Sequence, residues 1–120
     1  MATILLVEDT PANTALVSKL LRAVGHEVLC ADTAADGINL ARERSPDLVL
    51  MDLGLPEVDG YEAVARLRAD PDTSSLRVVA FTAHAMVGDR EHALAGGFDG
   101  YLSKPIDFAT FADTVADFLP

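Results

Sequence analysis

Cysteine and basic residues are scarce in this chain, and long apolar runs are absent. The single cysteine, Cys30, cannot close an internal disulfide, so the fold must rest on its core alone. It lies in the apolar run Val28-Leu29-Cys30-Ala31 and is expected to be a small buried hydrophobe rather than a reactive thiol. Nine Lys and Arg stand against 19 Asp and Glu, a formal net charge of −10. Such a surface repels phosphate backbones, which argues against direct nucleic-acid binding and suits a basic protein partner or a cation. No stretch approaches the ~20 apolar residues of a membrane span. No basic leader or A-x-A-like cleavage site precedes the first apolar run, so a cytoplasmic chain without membrane insertion is expected. The three histidines, His26, His84 and His92, share no metal-ligand spacing and are read as surface residues.

What is present fits one domain over residues 1–120, half of it apolar, enough for a single compact core. Short β-rich runs alternate with helix-period segments. The runs are Ile4 to Val7, Glu27 to Ala31, Leu48 to Met51, Leu76 to Phe81 and Phe98 to Leu102. Thr10 before Pro11 predicts an N-cap hydroxyl and a first helical proline, followed by the stripe Leu16, Leu20, Val24 and a stop at Gly25. Asp59 with Glu62 resembles a capping box, opening a helix that buries Val64 and Leu67 and stops at Asp70-Pro71. Gly96-Gly97 ends a helix from about His84, and Phe108, Phe111, Val115 and Leu119 give the last helical face. Five such β/α units predict an α/β fold: a doubly wound, five-stranded parallel sheet in the order 2-1-3-4-5, with five helices. In that order strands 1 and 3 are neighbours, and ligands bind beyond their carboxyl ends.

Polar groups gather at those ends. The first run leads into Glu8-Asp9, the third into Asp52, the fourth into Thr82, and the fifth toward Lys104. Asp9 is also readable as a charge favouring a helix start, Glu8 as a solvated acid, and Thr82 as a helix cap. Asp52 resists such a reading, because it closes the buried-looking run Leu48-Val49-Leu50-Met51 and a desolvated carboxylate demands a partner. Three acids side by side raise one another's pKa or require a counter-cation. Lys104, one of two lysines, supplies one charge; a divalent ion held by hard oxygen ligands, Mg²⁺ or alternatively Mn²⁺, supplies the rest. A carboxylate beside a metal and a lysine is suited to attack phosphorus, giving an aspartyl phosphate. Other phosphate chemistries fit worse. There is no G-x-x-x-x-G-K-[ST] loop and no G-x-G-x-x-G turn, and the acidic turn Glu8-Asp9-Thr10-Pro11 would repel a flavin phosphate. Asp52-Leu53-Gly54 also lacks the second aspartate of haloacid-dehalogenase-type phosphatases.

The segments Leu5-Leu6-Val7-Glu8-Asp9, Met51-Asp52-Leu53-Gly54-Leu55-Pro56, Asp59-Gly60, Thr82-Ala83 and Tyr101-Leu102-Ser103-Lys104-Pro105 resemble, in order, the response-regulator receiver (CheY-like) family. The resemblance covers essentially the whole chain. It implies that Asp52 accepts a phosphoryl group from a phosphohistidine on a sensor histidine kinase or histidine phosphotransfer protein. It implies that Asp9, Asp52 and the Gly54 carbonyl bind Mg²⁺, with Glu8 acting mainly through a metal-bound water. Thr82 and Lys104 would engage the phosphoryl oxygens, and Tyr101 would be an aromatic switch that follows Thr82. Pro105 would follow a cis peptide. The protein would be a phosphoacceptor of a two-component phosphorelay rather than an enzyme acting on a separate substrate, catalysing its own phosphotransfer and autodephosphorylation.

Leu55 departs from the resemblance, standing where methionine is frequent in that family, a volume-conserving change of little consequence. The resemblance also implies that Gly54 and His84 border the phosphoryl site and tune the lifetime of the phosphoryl group, Gly54 leaving room for attacking water and His84 blocking or orienting it. With nothing beyond the fifth helix, output is expected through protein contact on the face of helix 4, strand 5 and helix 5, which offers Ala85, Met86 and Tyr101. A receiver excised from a longer hybrid kinase and a receiver used purely as a scaffold are the competing readings.

Overall fold

The structure, a computed structural model, describes residues 2–55, 58–82, 89–103 and 109–119. Among these residues five strands and five helices alternate: β1 (Thr3–Val7), α1 (Pro11–Ala23), β2 (Glu27–Ala31), α2 (Ala34–Arg44), β3 (Leu48–Asp52), α3 (Gly60–Ala69), β4 (Val78–Thr82), α4 (Asp89–Ala95), β5 (Gly100–Ser103) and α5 (Phe111–Ala116). All pairings are parallel and the order is β2-β1-β3-β4-β5, as the alternation of runs predicted. The three central strands are almost continuously apolar because helices cover both their faces.

The pleat divides each strand between two cores. Ile4, Leu6, Leu48, Leu50, Val79 and Phe81 meet Val17 and Leu21 of α1 and Phe111 and Val115 of α5. Leu5, Val7, Val49, Met51, Val78 and Ala80 meet Ile38 and Ala41 of α2, Val64 and Leu67 of α3, and Ala93 of α4. Each fully buried Leu or Val contributes ~1.5–3 kcal/mol relative to exposure, so the two layers together hold the sheet without staples.

Local signals act where expected, with corrections. Asp59 caps α3 by accepting the Glu62 amide at 2.9 Å, and α3 ends at Ala69 before Asp70-Pro71. Thr10 is the N-cap of α1, but its hydroxyl makes no cap hydrogen bond, so Pro11 at the first position does the starting. The α1 stripe is only partly as expected: Val17 and Leu21 are the fully buried residues, Leu20 is partly buried against the same core, and Val24 is 55 % exposed. Gly25 ends that helix at φ +95°, a conformation L side chains rarely adopt. Strand β4 starts at Val78 rather than Leu76, and β5 starts at Gly100, leaving Phe98 as a buried loop residue. Cys30 is exposed, contrary to expectation, because β2 is an edge strand with only part of its apolar run covered; its thiol lies 3.4 Å from the Ser18 hydroxyl. The proposed helix start near His84, and Phe108 of the last stripe, lie outside the described residues.

Candidate functional site

Register builds the site. Val7 pairs with Met51, so the residues that follow them, Glu8 and Asp52, stand side by side at the carboxyl ends of β1 and β3. Asp52 pairs with Phe81, and Thr82 with Ser103, which brings the end of β4 and β5 to the same edge. Sequence-distant acids therefore converge. One carboxylate oxygen each of Glu8, Asp9 and Asp52 lies within 4.8 Å of the others.

Burial sorts their roles. Glu8 is 2 % exposed and Asp52 7 %, whereas Asp9 faces solvent. Glu8 is tied down: its backbone amide donates to the Ala31 carbonyl at 2.9 Å, and its carboxylate accepts the Thr10 amide at 3.2 Å. The Asp52 Oδ1 accepts the Gly54 amide at 2.9 Å, which fixes the rotation of the carboxylate. Gly54 is itself exposed, and a Cβ there would lie 3.6 Å from that same oxygen. Thr82 is 4 % exposed at the tip of β4. The turn after Asp52 is closed by Gly60, whose absent Cβ would lie 2.9 Å from the Asp52 carbonyl oxygen.

The donor set passes a simple test for a small hard cation. Direct Mg²⁺ ligands lie ~2.1 Å from the ion and so at most ~4.2 Å apart. Three carboxylate oxygens within 4.8 Å need only a small closure, or one bridging water, to meet that limit. No sulfur or imidazole joins them among the described residues, which fits Mg²⁺ or Mn²⁺ better than zinc.

Tyr101 is partly buried on β5, opposite Ala80, and packs against the α2-α3-α4 core. Its phenol and that of Tyr61 are both pushed above the ordinary value, first by burial and then by the Asp89 carboxylate at the start of α4. Lys104, Pro105, His84, Ala85 and Met86 lie outside the described residues. Sequence reasoning missed Tyr61, Asp89 and His92, which line a cleft that also reaches Gly54 and Thr82. The only hint was the Asp89/His92 spacing of three, one helical turn apart, and that spacing says nothing about α3. Among the described residues no helix is long and apolar enough to cross a membrane.

A profile of the response regulator receiver domain matches residues 4–116. The polar-differentiation response regulators DivK of Brucella ovis and Brucella anthropi are each 40 % identical over 116 residues, covering 97 % of this chain and 94 % of theirs. Among solved structures, the receiver domain of the sensor histidine kinase PA1611 of Pseudomonas aeruginosa, with magnesium coordinated in its active-site cleft, superposes with a TM-score of 0.87 at 34 % identity. That match covers 98 % of this chain and 96 % of the other. The chemotaxis protein CheY4 of Vibrio cholerae superposes at 0.91 with 25 % identity, covering 99 % of each chain.

Proposed function

Because the chain belongs to the response regulator receiver family, we propose that it takes a phosphoryl group from a phosphohistidine onto Asp52 in a Mg²⁺-dependent reaction and signals by phosphorylation-dependent protein contact. The observation that carries this reading is the convergence of Glu8, Asp9 and Asp52 within 4.8 Å at the ends of two adjacent strands.

Asp9, Asp52 and the Gly54 carbonyl would hold the ion, with Glu8 acting through a water. Bound there, the ion neutralises charge on the transferred group. The chain's own contribution is positioning. The Gly54 amide holds the Asp52 carboxylate in one rotation, so the attacking oxygen is already oriented. That oxygen bonds to phosphorus as the phosphorus–nitrogen bond to the donor imidazole breaks, and the imidazole leaves. The Thr82 hydroxyl donates to a phosphoryl oxygen, and Lys104 places its ammonium on another. Burial of Asp52 beside Glu8 limits how much water competes for the carboxylate.

Output follows from Thr82. When its hydroxyl turns toward the phosphoryl group, space opens beneath β4, and Tyr101, on the adjacent strand, is placed to move inward. The changed face of α4, β5 and α5 then receives a protein target. The same phosphoryl group is lost by hydrolysis at Asp52, so the chain resets itself.

Intact-mass spectrometry after incubation with acetyl phosphate tests the reading. Mg²⁺ should permit the addition of one phosphoryl group, and Asp52→Asn should prevent it. An unmodified wild-type chain with Mg²⁺ present refutes the proposal. The likeness to a kinase-borne receiver supports a second reading, a relay module within a longer hybrid kinase. The gene sequence on both sides of this segment decides between the two.

A further inference from the structure

A cleft of about 270 Å³ runs between the turn after β3 and α4, lined among the described residues by Leu53, Gly54, Tyr61, Thr82, Asp89 and His92. Gly54 and Thr82 belong to the phosphoryl site, whereas Tyr61 and His92 have no role in it so far.

The Tyr61 ring is held on three sides. Its centroid is 4.9 Å from that of His92, with the planes tilted by 59°. Phe98 meets it at 5.7 Å, edge to face at 83°. On the third side the turn that follows α4 comes so close that a Cβ at Gly96 would lie 2.9 Å from a Tyr61 ring carbon. A ring clamped in this way does not swing unless α4 moves. The cleft comes nearest to Asp52 at Gly54, an exposed residue without a side chain, where a Cβ would stand 3.6 Å from the Asp52 Oδ1, at ordinary contact distance.

We propose that this cleft is a side entrance to Asp52 for water and small acyl phosphates, and that Tyr61 and His92, set against each other from α3 and α4, fix its width. The inference rests on Asp52 being the phosphoacceptor. A protein donor presents its phosphohistidine on a surface too large to enter, so the entrance serves small reactants alone. Two reactions pass through it. In phosphorylation by acetyl phosphate, an Asp52 oxygen bonds to phosphorus and acetate leaves with the bridging oxygen. In hydrolysis, a water oxygen bonds to phosphorus and the bond from phosphorus to the Asp52 oxygen breaks. The Asp52 carboxylate is regenerated, and inorganic phosphate leaves as the water's proton passes to phosphate or solvent. Because one wall is α4, a partner that shifts α4 changes the phosphoryl lifetime without touching Asp52.

His92 is exposed, so it tolerates replacement without loss of the fold. The full chain with Mg²⁺ is compared with His92→Ala, His92→Trp and Tyr61→Phe. The readouts are the phosphoryl lifetime and the ratio of phosphorylation rates with acetyl and with the bulkier benzoyl phosphate. His92→Ala should shorten the lifetime about threefold and weaken the preference for the smaller donor, and His92→Trp should do the reverse. Tyr61→Phe keeps the ring wall and should match the wild type. Mg²⁺ affinity should stay the same in all three, which a general disturbance of the site would not leave untouched. Lifetimes and donor ratios that stay within about 1.5-fold of wild type in both His92 variants overturn the entrance. A wild-type chain that acetyl phosphate leaves unmodified overturns the phosphoacceptor reading, and the entrance with it.

Discussion

Replacing Arg68 by Met should cost this domain a substantial part of its stability while sparing its phosphorylation chemistry. Arg68, in the last turn of α3, donates to the Gly97 carbonyl from both Nε and Nη2, at 3.1 and 2.9 Å. Its Nη1 donates to the carbonyls of Ser74, at 2.9 Å, and Leu76. Its Nη2 also reaches the Asp99 carboxylate at 2.8 Å, and that carboxylate accepts the Val78 amide at 2.8 Å. One guanidinium thus ties α3 to the loops that lead into β4 and β5. The Asp99 pair is partly solvated, with the two side chains 25 % and 45 % exposed, so it is worth only ~0.2–1 kcal/mol. The part-buried Gly97 and Leu76 carbonyls lose a charged donor, at ~1–1.5 kcal/mol each after discounting for water that replaces it. The sum is ~2–4 kcal/mol, and at ~4 °C per kcal/mol for a domain of this size the midpoint should fall by ~8–16 °C. Urea unfolding with an unchanged slope measures it. Arg68→Lys, with a single nitrogen and no fork, should recover less than half of the loss. The bonds lie at the amino ends of β4 and β5, opposite Thr82, so the rate of phosphorylation by acetyl phosphate should hold. A loss below ~1 kcal/mol for Arg68→Met would refute the reasoning, because the carbonyls would then be served equally well by solvent.

Three further outcomes follow from the geometry. Gly60→Ala drives a Cβ to 2.9 Å from the Asp52 carbonyl oxygen and 3.0 Å from the Leu53 Cα, both backbone, so urea unfolding should show a loss of ~2 kcal/mol or more. Mg²⁺ at a hundred times its Kd should stabilise the wild type by ~2.7 kcal/mol in thermal unfolding, and Asp9→Asn or Asp52→Asn should abolish most of that gain. The Tyr61 and Tyr101 phenols are raised above 10.0 by burial and by Asp89, so the folded state holds these protons more tightly than the unfolded chain. Their contribution is complete below pH 10.0 and is lost as pH climbs through the folded values, so stability should decline on that side. Tyr61→Phe should flatten the alkaline decline, as read by unfolding midpoints across that range.

The strand order and the acid cluster were legible in the sequence because buried parallel strands carry their signal in composition. β3 is apolar from Leu48 to Met51, and an acid closing such a run has little other reason to be there. What composition leaves open is which side of an element ends up covered. Helix α1 and its C-cap carry apolar residues at Leu16, Val17, Leu20, Leu21 and Val24, so two stripes one residue apart compete, and packing on the sheet buries Val17 and Leu21 fully and Leu20 in part. Cys30 was misread for a related reason: the predicted order already put strand 2 at the edge, but the apolar run Val28-Leu29-Cys30-Ala31 does not say which of its residues the neighbouring elements cover, and Cys30 is left exposed. The buried face of α2 is Ala34, Gly37, Ile38 and Ala41, too small to announce itself. The Tyr61–His92 contact joins two helices far apart in the chain and has no local signature at all.

The central claim is chemical: a buried acid at the end of β3, flanked by the acids that close β1, becomes an acyl phosphate when a divalent cation is present. Trapping that acyl phosphate by borohydride reduction converts the modified aspartate to homoserine, which peptide mass mapping locates. After acetyl phosphate treatment with Mg²⁺, homoserine should appear at position 52 and nowhere else, and chelation of the metal should remove it. Homoserine at another acid, or at position 52 regardless of the metal, would contradict the account.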